Sequence, residues 1–310
     1  MSDQEIKTNS IQAWIKAIRP KTLSGAAVPV MIGTAMALKN SNGSNFQAVA
    51  AILCFIFAFI MQIDANLIND YFDFKRGNDN DTRLGPPRAC AEGWITLTAM
   101  KSAIIFTTLF ACLMGLPLIY YGGWQMVFVG ICCIIFCFLY TTKLSYLGLG
   151  DILVLIFFGV IPICMTYYIV LPKEQQTITG QVFLLSLACG FIIDTLLLIN
   201  NFRDRDNDVA SKKFTLITRV GAKIGIKLYL LAGIIGIILV IIAFTLSPTT
   251  PQRELIAIII VSLPYLFLHY CTYKKMGEIW QGKELNIILG KTAKNMLIFG
   301  IMCSIALFIL

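Results

Sequence analysis

AVAAILCFIFAFIMQIDANLINDYFD, residues 48–73, opens as an apolar run and closes in carboxylates and carboxamides. About 20 apolar residues make one helical crossing of a bilayer, so the first part reads as a membrane helix. Its polar end is ordered. Asn66, Asn69, Asp70 and Asp73 fall at i, i+3, i+4 and i+7, one face of one helix. The segment LINDYFD at 67–73 recurs as LINNFRD at 198–204, again where an apolar run ends. There Asn201, Asp204 and Asp208 repeat the i, i+3, i+7 face. Carboxylates so spaced repel one another unless a cation lies between them. Hard oxygen ligands from two helix ends suit Mg²⁺, which keeps several waters and shares its shell with phosphate. Helix capping explains the clusters poorly, because helix C-termini favour cations and glycine rather than acids.

The rest of the chain fits this reading. Its 310 residues are 57% hydrophobic and 14% charged, with a mean hydropathy of +0.78. That composition excludes an ordinary soluble domain. Nine apolar runs are expected to cross: 23–38, 48–68, 103–120, 124–140, 149–170, 181–200, 226–246, 255–273 and 293–310. The polar amino terminus shows no signal-peptide pattern. With that terminus cytoplasmic, all Lys and Arg but Lys39, Lys173 and Arg253 fall on the cytoplasmic side, the bias of the positive-inside rule. Both acidic clusters then face the cytoplasm. The net charge of +8 follows from this topology and from attraction to anionic lipid, so no nucleic-acid partner is inferred. Most of the ten cysteines lie within apolar runs without a C-x-x-C pair, and His269 is the only histidine; core filling is expected of them, not redox or His-based chemistry.

The surroundings of the two motifs also repeat. An apolar helix ends in the Asn/Asp face, a basic loop follows, and a second apolar helix returns, over about 46–121 and 179–247. The expected fold is all-α: one membrane-embedded domain, residues 1–310, in which two such units enclose one cavity. Asp64 and Asp194 lie deeper in their helices, as second-shell groups, substrate-facing acids or proton carriers, or as carboxyls satisfied by neighbours.

Four stretches carry a family resemblance: RPKTL at 19–23 with Pro29 and Gly33; NLINDYFDFKRGND at 66–79 with RLGPPR at 83–88 and Gly93; YTTKLSYLGLGD at 140–151; and NNFRDRDND at 200–208 with KFTL at 213–216 and Gly221. Here the chain resembles the UbiA superfamily of intramembrane prenyltransferases, nearest to those acting on 1,4-dihydroxy-2-naphthoate. Two departures stand out. Relatives often carry a third acid where this chain has Gly77, with Asp79 and Asp81 just beyond, and a glycine is missing ahead of the KFTL stretch.

The resemblance implies Mg²⁺-dependent transfer of a polyprenyl group from an isoprenoid diphosphate to an aromatic acceptor, decarboxylated in menaquinone synthesis. It implies two Mg²⁺ held by Asn69, Asp70, Asp73, Asp79, Asp204 and Asp208. Asp70, Asp73, Asp204, Asp208 and Lys143 would be catalytic. Asn66, Asn69, Arg19, Lys21, Arg83, Arg88, Tyr140, Asn200, Asn201, Arg203 and Lys213 would bind substrate. Tyr71, Phe72, Tyr140, Tyr146 or Phe202 would shield an allylic cation. The alternative acceptors are 4-hydroxybenzoate, a haem vinyl group or a glyceryl phosphate, and the alternative class is an ion-coupled transporter. The expected location is the bacterial cytoplasmic membrane.

Overall fold

The computed structural model describes residues 6–41, 43, 45–77 and 83–310. Among them every regular element is helical: α1 (Ile11–Ile18), α2 (Leu23–Asn40), α3 (Ala48–Lys75), α4 (Leu97–Gly122), α5 (Gln125–Thr142), α6 (Gly150–Val154), α7 (Ile161–Val170), α8 (Gly180–Ala210), α9 (Leu216–Val220), α10 (Ala222–Thr245), α11 (Pro251–Ile279) and α12 (Leu285–Ile309), with 3₁₀ turns between. A π-helical turn, Leu155–Val160, joins α6 to α7 in one span. Among the described residues nine helices or helix groups are long and apolar enough to cross a membrane. Large apolar side chains such as Phe106, Leu109, Phe128, Leu263 and Phe267 cover the outside. In lipid such an outside is the solvated face.

The start and stop signals are local. Side-chain oxygens of Ser10, Thr96 and Thr179 accept from the backbone N–H three residues on, at the heads of α1, α4 and α8. Gly123 ends α4 and Gly221 ends α9, each at positive φ. Several helices outrun their apolar stretches, α3, α4, α8, α11 and α12 among them. α3 continues to Lys75 and α8 to Ala210, so the Asn/Asp clusters are the last turns of the helices themselves. Likewise α12 starts at Leu285 rather than 293. A bend at Arg19 (φ 55°) separates α1 from the first span. Asn66 anchors that bend, donating to Ile18 O and Thr22 Oγ1, both at 2.9 Å.

α8 is the central helix, packed against α10, α12 and the π-helical span. Between hydrocarbon-coated helices, association depends on close backbone approach. Gly159 of the π-turn meets Gly190 of α8, and a Cβ on Gly159 would sit 2.6 Å from Ser186 O. Only glycine permits this crossing, which draws Asp151 at the head of α6 toward the inner face of α8. His269 is structural: its ring stacks between Tyr229 and Tyr265, with Nε2 3.1 Å from Tyr229 O.

Candidate active site

The expected residues gather at one end of the bundle, but they divide into groups. Asp73, from the last turns of α3, pairs with Arg88 at 3.2 Å. Asp204 on α8 takes a bidentate grip from Arg203, Nε to Oδ1 at 2.7 Å and Nη2 to Oδ2 at 2.5 Å. Asp208, one turn on, pairs with Lys213 at 3.3 Å, and its Oδ2 is buried without a hydrogen-bond partner. The same guanidinium of Arg203 donates to Asn200 Oδ1 (2.6 Å) and Asn286 Oδ1 (2.8 Å). Asn286 in turn donates to Leu84 O at 2.8 Å. Gly85 lies against both Arg83 and Arg203: a Cβ there would be 3.0 and 2.9 Å from their Nη2 atoms. The loop after α3 is thus laid over the end of α8, and three acids with four basic groups share one region.

Asp70 is engaged differently from Asp73. It is fully buried, and its two oxygens accept from the backbone N–H of Ala89 and of Cys90, each at 2.9 Å. Those bonds hold the returning loop and with it Arg88. Three residues before Asp73 on the same helix, its carboxylate is engaged by these two loop amides in this structure. Asn66 holds the Arg19 bend, with Arg19 and exposed Lys21 beside it, and Asn69 accepts from Thr141 on α5. Neither carboxamide joins Asp73. Lys143 is exposed at the C-cap of α5 and does not line the cleft. Asp79 lies outside the described residues.

Beside these ion pairs, between α5, α6 and α8, is a narrow cleft of about 10 Å³ whose lining includes Tyr140, Asp151, Leu197, Asn201 and Lys213. Its roof is two loops docked together. Phe214 N donates to Tyr146 O at 3.1 Å, and Arg219 Nη2 to Leu147 O at 3.0 Å. Gly148 (φ 76°) is required there, since a Cβ would lie 2.6 Å from Phe214 O. Of the aromatic candidates only Tyr140 lines this cleft. Phe202 is fully buried against Trp280, Tyr146 is covered by Arg76 at 4.7 Å, and Tyr71 packs on Phe72. They are packing residues in this structure.

Sequence reading did not single out three contributors: Asn286, Thr141 and Asp151. Asn286 resembles a simple polar residue at a helix start. Asp151 closes the YTTKLSYLGLGD stretch, but with no periodic partner nearby it carried no signal of its own.

The donors present fit Mg²⁺: hard carboxylate oxygens, one of them buried and unpartnered on Asp208. Among the described residues no three His, Cys, Asp or Glu side chains converge as a closed cage. An ion here must complete its shell with water and with phosphate oxygens.

Residues 26–283 match the model of the UbiA prenyltransferase family. A 1,4-dihydroxy-2-naphthoate octaprenyltransferase from Escherichia coli is 36% identical over 71% of this chain and 72% of its own length. One from Haemophilus influenzae is 28% identical over the full length of both chains. The structure of a UbiA homolog from Archaeoglobus fulgidus bound to DMAPP and Mg²⁺ superposes with a TM-score of 0.63 at 14% identity, covering 96% of this chain and 99% of that one. The chain belongs to the UbiA prenyltransferase family. It is an integral membrane prenyltransferase, and the transporter alternative is set aside.

Proposed function

We propose that this enzyme transfers a polyprenyl group from an isoprenoid diphosphate to 1,4-dihydroxy-2-naphthoate, releasing CO₂, with the site facing the cytoplasm of a bacterial inner membrane. The observation that supports the acceptor most is the 36% identity to the Escherichia coli octaprenyltransferase over 71% of the chain. The site chemistry is consistent with the donor. A diphosphate bears several negative charges on a lipid-soluble tail, so it needs basic groups where an apolar bundle meets water. Arg83, Arg88, Arg203 and Lys213 stand there beside Asp73, Asp204 and Asp208.

Asp73, Asp204 and Asp208 would hold Mg²⁺, two ions in our reading, which when bound supplies Lewis-acid stabilisation of the departing diphosphate. The chain's own groups do the remainder. Arg203, fixed by Asn200 and Asn286, presents a planar fork suited to phosphate oxygens. Lys213 adds a point charge at the cleft. Tyr140 lines the cleft, where its ring would stabilise an allylic carbon developing positive charge. The docked roof of Gly148 and Phe214 limits access of water. The two helix-loop units, about 46–121 and 179–247, we read as paired halves that each bring one acidic helix end to the site.

The test uses purified protein, an isoprenoid diphosphate, Mg²⁺, and either 1,4-dihydroxy-2-naphthoate or 4-hydroxybenzoate, with product mass and CO₂ as readouts. We expect decarboxylative prenylation of the naphthoate. Prenylation of 4-hydroxybenzoate alone, with its carboxylate retained, would overturn the acceptor while leaving the family assignment intact.

A further inference from the structure

Two acids below the ion pairs have no part in what has been described. Asp194 sits on α8 in heptad step with Asn201 and Asp208, so one helix face carries all three. It is 5% exposed, and its Oδ1 is buried with no hydrogen-bond partner. Asp151, at the head of α6, lines the cleft and also has a buried, unpartnered Oδ1. The two are electrostatic neighbours, and Asp151 is the acid that acts most strongly on Tyr140. Leu197, the α8 residue between Asp194 and Asn201, would lie 3.2 Å from a Cβ on Gly150. Asp151 is therefore level with the stretch of α8 running from Asp194 to Asn201. Along the axis Asp194 lies about 15 Å from Asp204, at 1.5 Å per residue.

An unpaired carboxylate oxygen inside a membrane protein is costly and is retained where a ligand or a proton completes it. Asp64 shows the contrast: both its oxygens accept from hydroxyls, those of Thr107 and Thr108, so it is satisfied by its neighbours. Asp151 and Asp194 are not. The diphosphate end of the site is proposed above to lie at Asp204 and Asp208, and Asp151 faces the narrow cleft beside them together with Tyr140, Asn201 and Lys213.

We propose that Asp151 is the acid–base residue for the acceptor: its carboxylate receives the proton of the ring hydroxyl as the new carbon–carbon bond forms. Asp194 is its electrostatic neighbour on α8 and acts on the acceptor only through Asp151. This rests on the hydroxyarene acceptor proposed above. With the naphthoate, the ring carbon bearing the carboxylate gives its π pair to the allylic carbon while that carbon's bond to the diphosphate oxygen breaks, the pair leaving on the diphosphate. The adjacent hydroxyl passes its proton to Asp151 and becomes a carbonyl. The product is a β-keto acid, which loses CO₂; the pair from the broken carbon–carbon bond restores the ring double bond and the carbonyl π pair moves to its oxygen, which takes the proton back. Asp151 ends as it began, and neither oxidant nor reductant is consumed.

The experiment compares the wild type with Asp151→Asn and Asp194→Asn in detergent or nanodiscs. Each is assayed for prenyl transfer, for calorimetric binding of a non-reactive isoprenoid thiodiphosphate with Mg²⁺, and for thermal unfolding. General acid–base groups contribute about 10²- to 10⁴-fold. We expect Asp151→Asn to lose turnover on that scale, to bind the thiodiphosphate within about threefold of wild type, and to regain part of its turnover as Asp151→Glu; that scale is the general-base one. For Asp194→Asn we expect a smaller loss in kcat with acceptor KM unchanged. Turnover of Asp151→Asn within tenfold of wild type would refute the role, as would a parallel loss of thiodiphosphate binding, which would make Asp151 part of the diphosphate site. Should the asparagine variant not fold, Asp151→Ser is judged on the same criteria. Wild type run on both acceptors separates the two readings: if it prenylates only 4-hydroxybenzoate, the acceptor assignment falls, and the variants are judged on that phenol.

Discussion

Asp70 and Asp73 are three residues apart and do different work. Asp73 meets Arg88 in the site, whereas Asp70 closes the hydrogen bonds of two buried amides. Their substitutions should separate accordingly. Asp73→Ala, Asp204→Ala and Asp208→Ala should each lower kcat/KM by two orders of magnitude or more, with unfolding temperature nearly unchanged, as expected when a metal-binding carboxylate is lost. Asp70→Ala should instead lower stability, since each orphaned buried donor costs about 1–3 kcal/mol. Thermal unfolding and kinetics measured on the same samples decide it; a stable but inactive Asp70→Ala would return that residue to the reacting centre. A second contrast concerns Arg203. Its planar guanidinium makes four hydrogen bonds, to Asp204, Asn200 and Asn286, a pattern that lysine cannot copy. Arg203→Lys should therefore behave nearly as badly as Arg203→Ala in transfer assays. Residues of this kind were only partly legible in the sequence. The periodic acids stood out because a helix repeats every 3.6 residues. Which of them turns inward was settled by tertiary partners, such as the Ala89 and Cys90 amides, that lie far away in sequence.

At the level of elements, long helices carry polar ends beyond the hydrocarbon, and short loops tie those ends together. The nine spans were legible, because apolar length alone specifies a crossing. The ends were not. Hydropathy falls at Asp64 and Asn200, yet α3 runs on to Lys75 and α8 to Ala210, since a helix continues wherever its backbone and packing allow, whatever its polarity. The bend at Arg19 and the π-turn at Leu155–Val160 also left no trace in composition. The roof joining Gly148 to Phe214 gives an element-scale prediction. Gly148→Ala places a methyl in contact with the Phe214 carbonyl at a positive φ, so the two loops must part. Transfer should fall, and hydrolysis of the isoprenoid diphosphate without acceptor should rise as water enters. A ratio of transfer to hydrolysis equal to that of wild type would show that the roof does not exclude water.

For the whole molecule, the charge distribution sets the orientation. By the positive-inside bias we expect Arg83 and Arg219 on the cytoplasmic face and Lys173 on the other. In sealed right-side-out vesicles, cysteine introduced at Lys173 should label with an impermeant maleimide, while cysteine at Arg219 should label only after permeabilisation. The reverse pattern would invert the topology and put the site outside.

The three ion pairs have one more consequence, in the order in which ligands bind. Each carboxylate that we propose to hold the metal is neutralised by a guanidinium or ammonium that we propose to bind phosphate. A cation arriving alone must displace those arms, and an anion arriving alone must strip them from their acids. Together they exchange partners, each taking what the other releases. The coupling is reciprocal: Mg²⁺ should bind weakly to the free enzyme and far more tightly in the presence of a thiodiphosphate analogue, and the analogue should gain by the same factor from Mg²⁺. The same exchange runs backwards after reaction, when Arg88, Arg203 and Lys213 can reclaim their carboxylates as pyrophosphate and metal depart as a single complex, so that the resting ion pairs also serve to clear the product.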